Sequence, residues 1–420
     1  MLFAGEHLTP SEVNRYDTSR DPEQRADIWQ AKYVLWHEQS ATISNIFLEL
    51  VRQRQQLAHN AGFAEYRAYR WQELHRFDFT PESCLTFYDA VIEEFTALAT
   101  QMATRRTQRW GITTLNPWDW QLDTDPVSTE QIFATPDDLL DAVSHICTQL
   151  DSSFGTLFTK MRQHDFLDVG SRLGKPGGGE EWFFPVTRLP CVRVESTGTF
   201  QDVLLLFHEC GHALHDALSF DQQGFIWNMG GPGGFDEFPS VAMPFLGLPF
   251  CTTTQGGFAN QEQIAAMYVR EYERIMLRWL PEIIRMELFQ HWVYTQPVEQ
   301  IHPSDLDAYW LQLTQRIMPW LNVSQHANDV AMSWQRSGLL FDNPFYFTEY
   351  ALAQFGALQL VPQAIHDHTA TWQHFTATLR AGNTRSLLEL YAMMNIDLPF
   401  TAATVRAVAV DVAQMYHDSL

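Results

Sequence analysis

Apolar residues return at intervals of three and four through most of this 420-residue chain, the spacing of one face of an α-helix. Helix starts are marked by Thr9-Pro10-Ser11-Glu12, Thr80-Pro81-Glu82-Ser83 and Thr135-Pro136-Asp137-Asp138. Each puts a hydroxyl where the capping residue belongs and a proline at the first helical position. In the first and third an acid follows at the third helical position, from which it can reach back to the capping amide. Leu139, Leu140, Val143 and Ile146 then share a face. The same periodicity predicts helices over residues 26–59, 261–293, 304–318, 347–360 and 403–416. Strand-like text is confined to 181–186 and 191–195, short runs bounded by Gly177-Gly178-Gly179 and by Pro190. The expected fold is therefore mainly α, with one small β-hairpin or sheet. No fixed repeat or linker divides the chain. Residues 1–170 read as a helical lobe and 171–420 as the lobe that carries the chemistry, the two forming one continuous catalytic domain.

Hydrophobic residues make up 45% of the chain and charged residues 18%, below the usual charged share of about 25%. Much of the sequence is meant for burial, which excludes a disordered or low-complexity protein. Lys and Arg number 27 against 50 Asp and Glu, a net charge of −23. Such a surface repels a phosphate backbone or an anionic membrane, so neither nucleic acid nor membrane is expected as a partner. Five cysteines, Cys84, Cys147, Cys191, Cys210 and Cys251, are odd in number and form no C-x-x-C pair. That usage fits a reducing, cytoplasmic setting. The first seven residues carry no basic segment ahead of an apolar one and do not read as a signal peptide. The apolar run at 203–207 is far shorter than the roughly 18 residues of a membrane span.

That run leads into the informative segment, His208-Glu209-Cys210-Gly211-His212-Ala213-Leu214-His215, an H-E-x-x-H motif within a helical pattern. Four helical residues advance about 6 Å and turn about 400°, so His208 and His212 project from one face and can hold one ion between them. Neutral imidazoles suit zinc. Glu209 borders that face, where its carboxylate can act on a water without taking the ion, the position of a general base. A catalytic zinc site asks for a third protein ligand and an open corner. His215 lies about 10 Å of helix rise from His208, too far to share an ion bound at about 2 Å, and reads as a core or supporting histidine. The metzincin extension is absent, because His215 stands at its glycine and Leu218 at its third histidine. The third ligand is expected to be a carboxylate from a neighbouring element. Glu237, within Phe235-Asp236-Glu237-Phe238-Pro239-Ser240, is taken over Asp236. Cys210 sits about 200° from His208, on the packing side, and reads as a small buried hydrophobe.

The octapeptide at 208–215 followed by Asp236-Glu237-Phe238-Pro239-Ser240 resembles the thimet oligopeptidase and oligoendopeptidase F family of zinc metallopeptidases, including the interval between second histidine and glutamate. Further text agrees: Arg54-Gln55-Gln56-Leu57-Ala58-His59-Asn60-Ala61-Gly62-Phe63, Phe289-Gln290-His291-Trp292-Val293-Tyr294-Thr295, and Pro344-Phe345-Tyr346-Phe347-Thr348-Glu349-Tyr350. The resemblance spans nearly the whole chain and is closest to the oligoendopeptidase F branch. It implies a large helical zincin-type fold with a deep cleft, one zinc ion held by His208, His212 and Glu237, and Glu209 activating water to cleave short unstructured peptides. It also implies that Tyr346 and Tyr350 are hydroxyls near the substrate carbonyl, placed to donate to the oxyanion.

Three features depart from the family pattern. Leu339 stands where the family usually has a histidine, counted back from Tyr346, which removes a transition-state donor. Pro244 stands where the family tends to carry a glutamate seven residues after the metal glutamate, and a proline there ends or bends the helix. The chain also starts near the helix containing Trp29, without the family's additional N-terminal helical segment. One wall of the cleft is then open, or a second chain supplies it, or the sequence is a fragment or a decaying paralogue. Two readings remain: an active zinc endopeptidase, or a pseudo-peptidase that keeps the fold as a peptide-binding or interaction protein. Retention of Glu209 beside two metal histidines favours the enzyme.

Overall fold

Capping chemistry decides where the helices begin. In the computed structural model, which describes residues 2–3, 5–17, 19, 21–120 and 130–420, the Thr135 hydroxyl accepts from the Asp138 N–H at 3.2 Å. The Asp138 carboxylate in turn accepts from the Thr135 N–H at 2.9 Å. Thr9 with Glu12 and Thr80 with Ser83 close the same reciprocal pair. The helices run in order as α1 (Pro10–Asp17), α2 (Pro22–Asn60), α3 (Tyr66–Glu73), α4 (Pro81–Trp110), α5 (Pro136–Leu150) and α6 (Ser152–Gln163). After the main sheet come α7 (Phe200–Gln223), α8 (Phe238–Gly247), α9 (Gln261–Arg274), α10 (Leu280–Thr295) and α11 (Pro303–Ile317). The short α12 (Ala327–Ala331) and α13 (Gly338–Asp342) precede α14 (Phe347–His366), α15 (His368–Ala381), α16 (Leu387–Ala392) and α17 (Ala402–Asp418).

The outer long helices bury one stripe, whereas α10 and α14 are buried on nearly every side. On α4, Cys84, Phe87, Tyr88, Val91, Phe95, Leu98 and Met102 are all buried, at the three-and-four spacing read from sequence. One cluster of buried apolar side chains runs from Phe47 on α2 to Tyr416 on α17. Ion pairs buried inside the molecule include Arg25 with Asp119 at 2.6 Å, Arg76 with Glu349 at 2.9 Å and Arg106 with Glu273 at 3.0 Å. Buried pairs of this kind add little net stability but penalise any packing that separates them. No helix among the described residues is long and apolar enough to cross a membrane. The five cysteines are unbonded, and all but the half-buried Cys191 are buried.

Besides a two-residue ladder of β1 (Leu2–Phe3) with β2 (Glu6–His7), there is one three-stranded sheet. Its order is β3 (Leu167–Gly170), β5 (Leu189–Ser196), β4 (Gly179–Phe184). β4 and β5 form an antiparallel hairpin in register from Gly179↔Val194 to Phe184↔Leu189, and β3 lies parallel to β5 on its other side. The buried Lys175 ammonium fastens the connection between β3 and β4, donating to the carbonyls of Asp168, Gly170 and Val194 at 2.8–2.9 Å. β4 and β5 both pack on α7.

The predicted helices are present, and the predicted hairpin is β4–β5. Three features differ from the expectation, the first being the two-residue β1–β2 ladder, too short to leave a pattern. β3 was not foreseen, because a four-residue strand that gains its partner from distant β5 leaves too short an alternation to read. The helix predicted over 261–293 is interrupted by a π turn, Ile275–Trp279. Its cause is local: Pro281 has no N–H to offer the Leu277 carbonyl, and the Trp120 indole donates to that oxygen instead, at 2.6 Å.

Candidate metal centre and active site

The α7 helix begins at a Thr199 cap closed with Asp202 and runs to Gly224. One face, with Val203, Leu206, Phe207, Cys210 and Leu214, is buried. His208 and His212 come off the other, partly exposed, with ring centroids 5.3 Å apart and planes at 82°. What brings a third donor to them is Gly211. A Cβ there would fall 2.5 Å from the Pro239 carbonyl oxygen and 2.6 Å from the Ser240 Cα, so the α7 and α8 backbones touch. Glu237, the residue that caps α8, is thereby set against the histidines.

Glu237 Oε2 lies 3.7 Å from His208 Nε2 and 3.4 Å from His212 Nε2. In a tetrahedron with bonds of about 2.0–2.1 Å, neighbouring ligand atoms are about 3.3 Å apart, so the three donors fit a single ion of that kind. No other His, Cys, Asp and Glu grouping among the described residues brings three donors so close. The carboxylate is braced. Tyr346 Oη donates to Glu237 Oε1 at 2.8 Å, and Ser240 Oγ donates to Oε2 at 3.1 Å. Asp236 turns away, its Oδ1 accepting from the Gly231 N–H at 3.2 Å.

Burial opposes charge on Glu237, but the His212 and His208 imidazoles and the Tyr346 phenol outweigh it and hold the carboxyl at about 2. Burial likewise opposes charge on His212, yet Glu237 raises it to about 9. His208 is lowered to about 4 by burial, His212 and Arg274. The acids around His212 thus favour positive charge between these donors, and a metal ion bound there would displace a proton. Glu209 is 4% exposed, and burial lifts its carboxyl to about 7.

The sequence-read residues fall into place unevenly. His208, His212 and Glu237 converge, Glu209 borders them, and His215 is buried away from the donors, its ring edge-on to Phe235 at 5.5 Å. Cys210 is fully buried. Tyr346 reaches the site as a support of Glu237, and Tyr350 packs edge-on against Tyr346 at 5.5 Å, with burial and Glu237 pushing its phenol upward. Pro244 lies inside α8, which passes into a tighter turn at Leu248–Cys251. Leu339 is half-buried against the apolar core.

Several residues at the site were not read from sequence. Phe345 adopts φ +65°, a conformation costly for a large side chain, and both of its backbone groups are held. Its N–H donates to Gln290 Oε1 at 2.6 Å, and its carbonyl accepts from Arg76 at 2.7 Å. This turn aims Tyr346. Glu181 and Asp216 face His212, with burial raising the first to about 8 and the second to about 6. Asp216 could have been found, since it follows His212 by four residues on one helix. Glu181, Gln290 and Arg76 carry no such local signal.

An H-E-x-x-H helix meeting a glutamate from the following helix, in a mainly α fold with a small sheet alongside, is the architecture of a helical peptidase. The chain belongs to peptidase family M3, whose sequence model matches residues 15–410, a family that is generally metal-dependent. It is similar to the oligoendopeptidase F homolog of Lactococcus lactis subsp. lactis (strain IL1403). The two are 22% identical over 214 residues, covering 48% of this chain and 33% of that protein. The plasmid oligoendopeptidase F of Lactococcus lactis subsp. cremoris matches at the same identity and coverage. The aligned segment thus spans about a third of each curated relative. Among solved structures, Pz peptidase A with an inhibitor superposes at a TM-score of 0.91 and 22% identity, covering 99% of this chain and 73% of that one. Oligoendopeptidase-F from Enterococcus faecium superposes at 0.64 and 13% identity, covering 99% and 66%. At these identities the solved structures establish the fold. The expected family resemblance and the helical fold with its small sheet are both borne out.

Proposed function

We propose that this chain is a zinc metalloendopeptidase that hydrolyses short, unstructured peptides. One observation carries the reading: the His208, His212 and Glu237 donor atoms lie within 4.8 Å of one another with a buried carboxylate, Glu209, beside them. A zinc ion held by those three residues would supply Lewis-acid polarisation of the scissile carbonyl and a readily deprotonated water. Glu209 takes the proton of the attacking water and returns it to the leaving amine. Its burial favours a carboxyl that can both accept and release a proton near neutral pH. Tyr346 and Tyr350, both beside Glu237, would donate to the developing oxyanion on leaving that carboxylate.

Substrate form follows from the sheet. β4 pairs with β5 on one side only, and its first residue, Gly179, contacts Glu209. An extended peptide can add to the open edge of β4 by main-chain hydrogen bonds, which a folded protein cannot offer. The unbonded cysteines support a cytoplasmic setting. The test is metal analysis of the purified chain together with turnover of a quenched fluorescent peptide library, with and without chelator, for the parent and Glu209→Gln. One zinc per chain, chelator-sensitive cleavage and a loss of about 10²–10⁴-fold in the variant with metal retained are expected. An undiminished rate in Glu209→Gln overturns the assigned base, and a parent that cuts no peptide overturns the function.

A further inference from the structure

A cavity of about 450 Å³ lies behind the aromatic wall of the metal centre, a size that suits part of a small ligand or peptide. Its lining holds four cations, Lys32, Arg278, Arg285 and Arg336, against two acids, Asp17 and Glu282. Asp17 is paired with Lys32 and Glu282 with Arg285. Arg278 and Arg336 are left over. Among the described residues neither has a carboxylate at ion-pair distance, and each instead faces a ring, Arg278 that of Trp279 at 5.7 Å and Arg336 that of Tyr33 at 5.1 Å. Burial and the neighbouring Arg274 pull the Arg278 guanidinium down to about 10, although Glu282 and Asp17 oppose the shift. In a chain of net charge −23, a cavity with surplus cations is against the trend.

Two further observations tie the cavity to the peptidase reading. Arg278 and Trp279 belong to the π turn Ile275–Trp279, a distortion frequent at functional sites. Trp279 and Phe347, both in the cavity wall, lie 6.1 and 6.2 Å by ring centroid from Tyr350. Tyr350 borders Glu237, so cavity and metal centre are separated by one layer of rings. Arg and carboxylate pair through two parallel hydrogen bonds, and indoles such as Trp118 and Trp120 receive the apolar side chains that flank a carboxylate in a peptide.

We propose that this cavity is a carboxylate-binding subsite, in which Arg278, assisted by Arg336, takes a carboxylate of the substrate peptide and so sets the distance from that group to the scissile bond. The proposal rests on the peptidase reading. The carboxylate has two sources, the peptide C-terminus and an acidic side chain.

The test uses one apolar peptide sequence as free acid, as C-terminal amide, and as amide with a glutamate moved residue by residue. With zinc-loaded full-length chain, kcat/KM should be about 10- to 100-fold higher for the peptide that carries the recognised carboxylate. A preference for the free acid assigns the C-terminus, and recovery in one glutamate-containing amide assigns the side chain. In Arg278→Ala and in Arg336→Ala the preference should collapse, largely through KM, and Arg278→Lys should restore part of it. Binding of a tripeptide free acid and its amide, followed by quenching of the cavity tryptophans in the Glu209→Gln chain, gives a readout that needs no turnover. If no peptide is cut, the peptidase reading fails, and the quenching titration still decides the cavity. Equal binding of acid and amide, or a preference that survives in the variants, overturns the subsite. Arg336 is exposed, so Arg336→Ala serves should Arg278→Ala not fold.

Discussion

Gly179 of the edge strand lies directly against Glu209 of the motif helix: a Cβ on the glycine would fall 2.6 Å from Cγ and 2.7 Å from Cδ of the carboxylate side chain. The strand that would hold an extended peptide therefore also fixes the proposed base. Gly179→Ala should displace Glu209 by about an ångström and lower kcat/KM on a quenched peptide by about 10²-fold, with metal content unchanged. Parallel metal analysis and steady-state kinetics check this. An unaltered rate would mean that the position of Glu209 does not limit the reaction.

Gly211 makes a sharper test because its sign is unusual. Alanine for glycine inside an ordinary helix gains about 1 kcal/mol. Here the new methyl group meets the Pro239 carbonyl and the Ser240 Cα of α8, which are backbone and cannot swing aside. Gly211→Ala should lose about 1–3 kcal/mol on denaturant unfolding and weaken zinc binding, since α8 carries Glu237. A stabilised variant would refute the close helix contact.

The two tyrosines should separate. Tyr346 donates to Glu237 Oε1 at 2.8 Å, so Tyr346→Phe is expected to weaken metal affinity by about 10–100-fold, as loss of a ligand's hydrogen-bond partner does. Tyr350→Phe should keep the metal and lower kcat by about 10²-fold or more if its phenol serves the oxyanion. Metal titration with a competing chromophoric chelator, run beside kinetics at saturating zinc, distinguishes the two effects.

Glu287 links stability to pH. Its Oε1 accepts from the Thr348 N–H at 3.0 Å, while the buried Oε2 has no hydrogen-bond partner. Burial raises the carboxyl from an ordinary 4.5 to about 7. Below pH 4.5 it is protonated folded or unfolded. As pH rises toward 7 only the unfolded chain ionises, so folding loses stability across that window. Glu287→Gln removes the loss, and its stability relative to the parent should improve by about 1–3 kcal/mol between pH 5 and pH 8. A pH-independent difference between the two unfolding curves would count against the raised carboxyl.

Much of the scaffold was legible because it is decided locally. A threonine and a proline in sequence specify a helix start within one turn, and α1, α4 and α5 begin where those pairs stand. His208, Glu209 and His212 could be assigned to one side of a helix from spacing alone. The π turn escaped that logic, although Pro281 announced it, because its other half is an indole from residue 120. Gln290 and Arg76 escaped it too. They act on Phe345 from 55 and 269 residues away, through backbone atoms that leave no mark on side-chain patterning.

The chain by itself determined the helices, the hairpin and the two-histidine motif, since hydrogen bonds and apolar periodicity reach only a few residues along a backbone. Tertiary structure decided how those pieces meet. It set Glu237 at coordinating distance because two helices touch at Gly211, lodged Gly179 against Glu209, and gathered Arg278, Arg336 and the indoles around one cavity. Those relationships depend on which surfaces pack together across hundreds of residues, and packing is a property of the whole core.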